Sequence, residues 1–102
     1  MTTKPTDKKS NSELRARFSL GRTLITPNAL DRLKPEDVQA ALTRHLRGDW
    51  GDCSDDDRAE NEFALDKHLR LFSVYHDSNG VKFWIITEAD RSATTVLLPE
   101  DY

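Results

Sequence analysis

Apolar positions along this chain follow two periods, and the change between them divides it. From Pro27 to Ala64 they recur at three- and four-residue steps, the period of helices with one buried face. From Arg70 onward they fall in β-branched and aromatic stretches separated by turn residues, the pattern of strands. Ahead of both, Phe18–Thr26 holds Phe18, Leu20, Leu24 and Ile25 and reads as a short strand interrupted at Gly21.

Local signals set the boundaries. Thr26-Pro27 combines a capping hydroxyl with a proline at the first helical position, and Ala29, Leu30 and Leu33 give the short helix behind it an apolar face. Pro35-Glu36-Asp37 opens a second helix with acids where the dipole favours them. Val38, Ala41, Leu42, His45 and Leu46 form its stripe, and Gly48 ends it. Ser54 caps a third helix with Asp55, Asp56 and Asp57 in its first turn and Ala59, Phe63 and Ala64 as its inner face. Arg70–His76 and Val81–Thr87 are strands joined through the hairpin signal Asn79-Gly80. A turn over Glu88–Ser92 leads to a last strand, Ala93–Leu98, stopped by Pro99. The order β-α-α-α-β-β-β predicts an α+β fold, with two or three helices on one face of a three- or four-stranded antiparallel sheet. Trp84 is expected in its core.

The first 17 residues belong to neither pattern. Met1 and Leu14 are their only large apolar residues, too few to offset the entropy of ordering, so residues 1–17 are predicted to be a disordered tail and residues 18–102 a single domain. The tail holds five Lys/Arg against Asp7 and Glu13; with the chain at −3, the body carries −6. An acidic body is a poor match to phosphate backbones, which leaves the basic tail as the route to nucleic acid. No apolar run approaches the roughly 20 residues that span a bilayer. The N-terminus lacks the apolar core of a secretory signal, so the cytoplasm is expected and no membrane partner. Cys53 is the one cysteine, which excludes an internal disulfide and a cysteine-rich zinc site.

Several residues could carry chemistry. His45, three residues before Gly48, could act as a base oriented by Asp49 or Asp52, or sit inside and pin the loop through one of those carboxylates. Asp49, Asp52 and Asp55–Asp57 do not follow the alternating spacing of a calcium loop, and the last three have a duty at a helix N-terminus, so no metal and no cofactor is expected. Cys53 lies among carboxylates that raise a thiol pKa, which argues against a nucleophile. Arg70 and Arg91 either clamp an anion or close a turn against neighbouring acids. Gathered in one cleft, His45, Arg70, Tyr75 and Arg91 would suit metal-independent RNA cleavage. Trp50, between glycines and acids, is either a lid over the helix pair or an exposed anchor.

A further set of residues brings in a family. Gly21-Arg22, Thr26-Pro27, Ala29-Leu30, His45, Gly48-Asp49-Trp50-Gly51-Asp52, Asn61, Arg70, Ser73, Tyr75, the run Trp84–Ser92 and the ending Leu97–Tyr102 resemble the small plasmid-related proteins of bacterial plasmids and integrated mobile elements. The likeness covers residues 20–102, with GDWGD and ITEADRS its most specific stretches. It implies a genomic setting and no particular reaction. Relatives are sometimes labelled as subunits of type I restriction methyltransferases. The glycines here, Gly21, Gly48, Gly51 and Gly80, form no glycine-rich strand-to-helix turn for a methyl donor, and the chain is too short for that fold.

Together these features predict a non-enzymatic accessory protein that binds another protein. Its expected surface comprises His45, Asp49, Trp50, Asp52, Asn61, Arg70, Glu88, Asp90 and Arg91. A small nuclease built on His45, Arg70, Tyr75 and Arg91 is the alternative. A homodimer through an exposed strand edge is also open, unless Phe18–Thr26 covers Ala93–Leu98.

Overall fold

A computed structural model describes residues 15–102; the tail assignment for residues 1–14 lies outside the described residues. The elements run β1 (Arg22–Ile25), α1 (Pro27–Arg32), α2 (Pro35–Leu46), α3 (Asp55–Lys67), β2 (Leu71–His76), β3 (Lys82–Thr87), β4 (Ala93–Leu97) and a closing 3-10 turn, Pro99–Asp101. The caps are those the sequence specifies: Thr26 Oγ1 accepts from the Ala29 N–H at 3.2 Å and Ser54 Oγ from the Asp57 N–H at 3.1 Å.

The fold is α+β, and its four-stranded sheet has the order β1-β4-β3-β2. β2–β3 and β3–β4 are antiparallel hairpins, but β1 joins β4 in parallel, so the sheet is mixed where the sequence predicts a purely antiparallel one. The ends of the two strands explain the direction. Thr26, just past β1, donates its N–H to Val96 C=O at 3.0 Å, and its hydroxyl donates to Asp101 Oδ2 at 2.6 Å. Both strands must therefore point the same way. Gly21, at φ 63°, breaks the predicted Phe18–Thr26 strand and leaves Arg22–Ile25 alone in the sheet.

One face of the sheet carries the core. Tyr75, Phe83, Ile85 and Val96 pack against Ala29 of α1, Leu33 just past its end, and Ala41 and Leu42 of α2, with Leu98 closing the end. A second cluster of Trp50, Ala64 and Leu71, backed by Phe18, Cys53 and Leu65, fills the space between α3 and the β2 edge. Two predicted helix faces are rotated. At α1, Ala29 and the capping Leu33 are buried and Leu30 is 64% exposed. In α3, Asn61 and Ala64 point inward, whereas Ala59 is exposed and Phe63 is 52% exposed. The cause in α3 is that Asn61, a polar residue, holds the inward position.

Arg17, placed by composition in the tail, is fastened to the body. Its backbone N–H donates to Leu46 C=O at 2.9 Å, and its guanidinium grips Glu62 through two bonds of 3.0 and 2.9 Å. The partner lies 45 residues away, so nothing local announces it.

Candidate functional site

His45 is the most chemically loaded position in the fold, and it is fully buried. Its ring bonds Ser73 Oγ through Nδ1 at 2.6 Å and Thr87 Oγ1 through Nε2 at 2.9 Å. Thr87 continues to Thr94 Oγ1 at 2.7 Å, and Thr94 donates to Leu20 C=O at 2.7 Å. The terminal carbonyl can only accept, which fixes every proton upstream. Thr94 spends its hydrogen on Leu20, Thr87 donates to Thr94, His45 Nε2–H donates to Thr87, and Ser73 donates to Nδ1. The imidazole is thus the neutral Nε2–H tautomer. Burial lowers its pKa from 6.5 to about 3, with the nearby Arg91 charge acting in the same direction. Phe18 and Trp50 wall the ring edge-on at 5.2 and 5.7 Å.

A hydroxyl donating to a histidine that is oriented by a third group is the hydrogen-bond pattern of nucleophilic catalysis. Here Ser73 and His45 are both at 0% exposure, so no substrate reaches them. The histidine neither takes its orientation from Asp49 or Asp52, as the sequence suggests, nor faces solvent. Its partners are strand hydroxyls, Ser73 and Thr87, the latter backed by Thr94, whose signal was polar side chains on inward strand positions opposite His45.

The GDWGD stretch is built to end a helix and close a sheet edge. Gly48, at φ 84°, donates to His45 C=O at 3.0 Å while Asp49 N–H reaches back to Arg44 C=O at 2.8 Å, a Schellman ending for α2. Asp49 is held by the Arg44 guanidinium at 2.8 and 3.2 Å, which keeps its carboxyl below the ordinary range. Trp50 is 2% exposed, stacks on Phe18 and donates to Glu62 at 2.9 Å, so it is a core residue and not an exposed anchor. Around Gly51 the backbone joins β2: Val74 N–H donates to Trp50 C=O at 3.1 Å and Asp52 N–H to Val74 C=O at 2.7 Å. Asp52 pairs its side chain with His76 Nδ1 at 2.8 Å. One step along the strand, Asn61 Nδ2 donates to Phe72 C=O at 2.6 Å and Phe72 N–H to Asn61 Oδ1 at 2.9 Å. The side-chain amide thus acts as a further strand residue.

ITEADRS is likewise structural. Thr87 belongs to the buried hydroxyl chain, and Asp90 Oδ1 accepts from Ser92 N–H at 3.0 Å to form the turn. Arg91, at φ 63°, donates to the carbonyls of Leu69 at 2.7 Å, Glu88 and Ala89 at 3.1 Å and Ala64 at 3.2 Å. It ties the turn to the end of α3. Arg70 instead bonds Tyr102 Oη at 2.9 Å and Glu88 at 3.5 Å. Tyr75 is buried, donates to Asp49 C=O at 2.5 Å, and has its pKa pushed well up by burial.

His45, Arg70, Tyr75 and Arg91 therefore share no open cleft: two are inside the core, one is committed to backbone carbonyls, and one lies on the surface beside Tyr102. The nine residues of the expected binding surface do not form one either, because His45, Trp50 and Asn61 are buried, whereas Asp49, Asp52, Arg70, Glu88, Asp90 and Arg91 are exposed or half-buried. The Cys53 thiol has its pKa raised, by burial first and by Asp57 and Asp52 after it, and its Sγ lies 3.3 Å from Trp50 C=O. Among the described residues, no three His, Cys, Asp or Glu side chains converge on a point.

What sequence reasoning missed is the other face of the sheet. Leu24, Phe72, Val74, Trp84, Ile86 and Leu97 share it by strand register. Val74, Ile86 and Leu97 are buried on this face outside the two core clusters, and Trp84, expected in the core, is half-buried here. Among the described residues the core contacts of α1 and α2 lie on the opposite face, and the closing 3-10 turn meets β3. Tyr102, 73% exposed, lies against it, forming an edge-on aromatic line with Trp84 at 5.8 Å and Phe72 at 5.0 Å from Trp84. Its available signal was the unbroken apolar run Phe83–Ile86, which supplies apolar side chains to both faces.

No family model, curated protein or solved structure matches the chain.

Proposed function

We propose that this chain is a non-enzymatic accessory protein that docks another protein on the uncovered face of its sheet, in the plasmid or mobile-element setting that its GDWGD and ITEADRS stretches imply. The observation that carries this reading is the chemistry of that face. Phe72, Trp84 and Tyr102 form an aromatic line along it, with Leu24, 39% exposed, at its far edge, and aromatic residues at such positions are the usual anchors of protein interfaces. Arg22 and Lys82 share the face by register, while Arg70 and Glu88 beside it are paired with each other. The partner it fits is an acidic protein surface with apolar side chains at its centre.

The residues with catalytic potential are, by contrast, engaged in holding the fold, which removes the motive for the nuclease reading. The test is affinity capture from the native host with the parent chain and with a Trp84→Ser/Tyr102→Ser variant. Both positions lie on the uncovered face, so the variant should keep its far-UV spectrum. A protein retained by the parent in stoichiometric amount and lost with the variant supports the reading. Equal capture by both, capture of nucleic acid, or capture of nothing overturns it.

A further inference from the structure

The two edges of the sheet are treated differently. At β2, the outward backbone groups of Phe72 and Val74 are satisfied by Asn61 and by the Trp50–Asp52 backbone. At β1, Arg22 and Thr26 donate their N–H groups toward β4, to Ser92 and Val96, so by alternation the N–H and C=O groups of Thr23 and Ile25 point away from the sheet. Among the described residues nothing bonds them. Proteins commonly blunt such an edge with lysine, proline or a bulge. Thr23, Leu24 and Ile25 supply none of these, and Leu24 is 39% exposed.

Beside this edge runs a groove of about 340 Å³ lined by Leu20, Thr23, Gln39, Leu42, Thr43 and Leu46. Its far wall is one face of α2, at i, i+3, i+4 and i+7 spacing. None of its six lining residues is charged, in a chain that is 32% charged.

We infer that the occupant of this edge is a second copy of the chain, paired β1 to β1 in antiparallel fashion about a two-fold axis normal to the sheet. Residues near such an axis meet their own copies, so a charge there repels itself. The uncharged groove meets that condition. With Leu24 opposite Leu24 of the second copy, Thr23 lies opposite Ile25, and the outward backbone groups of both form the new ladder. Arg22 falls opposite Thr26, and its own copy is four residues away, about 13 Å along the strand and beyond the ordinary screening length. The α2 helices then face each other across the axis with the exposed Gln39 and Thr43 and the half-buried Leu46. The result is an eight-stranded sheet with both uncovered faces on one side. It stands independently of the docking reading, and it would make that surface bivalent.

The test is the mass of the full chain in solution, by sedimentation equilibrium or light scattering, for the parent, Thr23→Pro and Thr43→Glu. Thr23→Pro removes an outward N–H and leaves the ladder to β4 intact; Thr43→Glu places like charges on the facing groove walls. The parent is expected at twice the single-chain mass. Both variants are expected at the single-chain mass, with unchanged circular dichroism. If Thr23→Pro fails to fold, Thr43→Glu, at an exposed position, decides alone. A parent of single-chain mass up to its solubility limit overturns the inference. So does a dimer that survives Thr43→Glu, or one lost only on Trp84→Ser, which would put the contact on the uncovered face. Failure of the capture experiment leaves these masses unchanged, so the two readings fall separately.

Discussion

Acidification should strike this fold first at His45. The ring is neutral and buried, its Nδ1 receives the Ser73 hydroxyl, and every hydroxyl beyond Nε2 is already committed to a single donor direction ending at Leu20. A proton on Nδ1 would face the Ser73 hydrogen and would have to be carried in an apolar site next to Arg91. The folded pKa near 3 lies below the unfolded value of 6.5, so the unfolded chain takes up the proton first as the pH falls. Stability is then level above the unfolded value, declines by about 1.4 kcal/mol per pH unit below it, and levels again only near the folded value. Between neutrality and about pH 5 the loss is about 2 kcal/mol, a large fraction of what a small domain possesses. The carboxyls of Asp49, Glu62 and Asp101 have lowered pKa values, so their contributions are lost only at more acid pH and do not enter this window. Urea unfolding of the parent and of His45→Gln across that range isolates the effect, since glutamine keeps a donor and an acceptor but does not titrate. The parent's advantage over the variant should shrink by about 2 kcal/mol on going to about pH 5. A difference that stays constant would refute the buried neutral histidine and the one-way donor chain with it.

Gly51→Ala should be severely destabilising, because a Cβ at φ 81° would lie 1.9 Å from Val74 C=O and 2.8 Å from the Tyr75 ring. A loss of about 3 kcal/mol or more is expected in chemical denaturation, and one below about 1 kcal/mol would contradict the close approach. Asn61→Leu leaves Phe72 N–H and C=O unpaired at the β2 edge, at a cost of about 2–3 kcal/mol. Because it frees that edge, the Phe72 amide of the variant should exchange with solvent much faster than the parent's at low protein concentration, read by hydrogen exchange. Protection of that amide equal to the parent's would show that Asn61 is not what closes the strand.

What the sequence determined by itself are the elements and their ends. Thr26-Pro27, Ser54 with its acids, Gly48 and Asn79-Gly80 act within four or five residues of themselves, where backbone geometry and one side chain suffice. The acidic body, the single helical face of α2 and the interruption at Gly21 were legible for the same reason. Only the tertiary structure decided the rest, because the deciding partners are far apart in the chain. His45 meets Ser73 and Thr87 across 28 and 42 residues, and Arg17 meets Glu62 across 45. Asn61 reads from sequence as a polar residue on a polar helix; it becomes a strand surrogate only because β2 arrives beside it. GDWGD and ITEADRS, which look like a site when read in a line, turn out to end a helix, close an edge and clip a turn. The parallel placement of β1 has no local signature, and the apolar run Phe83–Ile86 shows that both sheet faces carry apolar side chains without saying which one the helices leave open. Both follow from where three helices can pack on four strands, and a one-dimensional pattern does not contain that geometry.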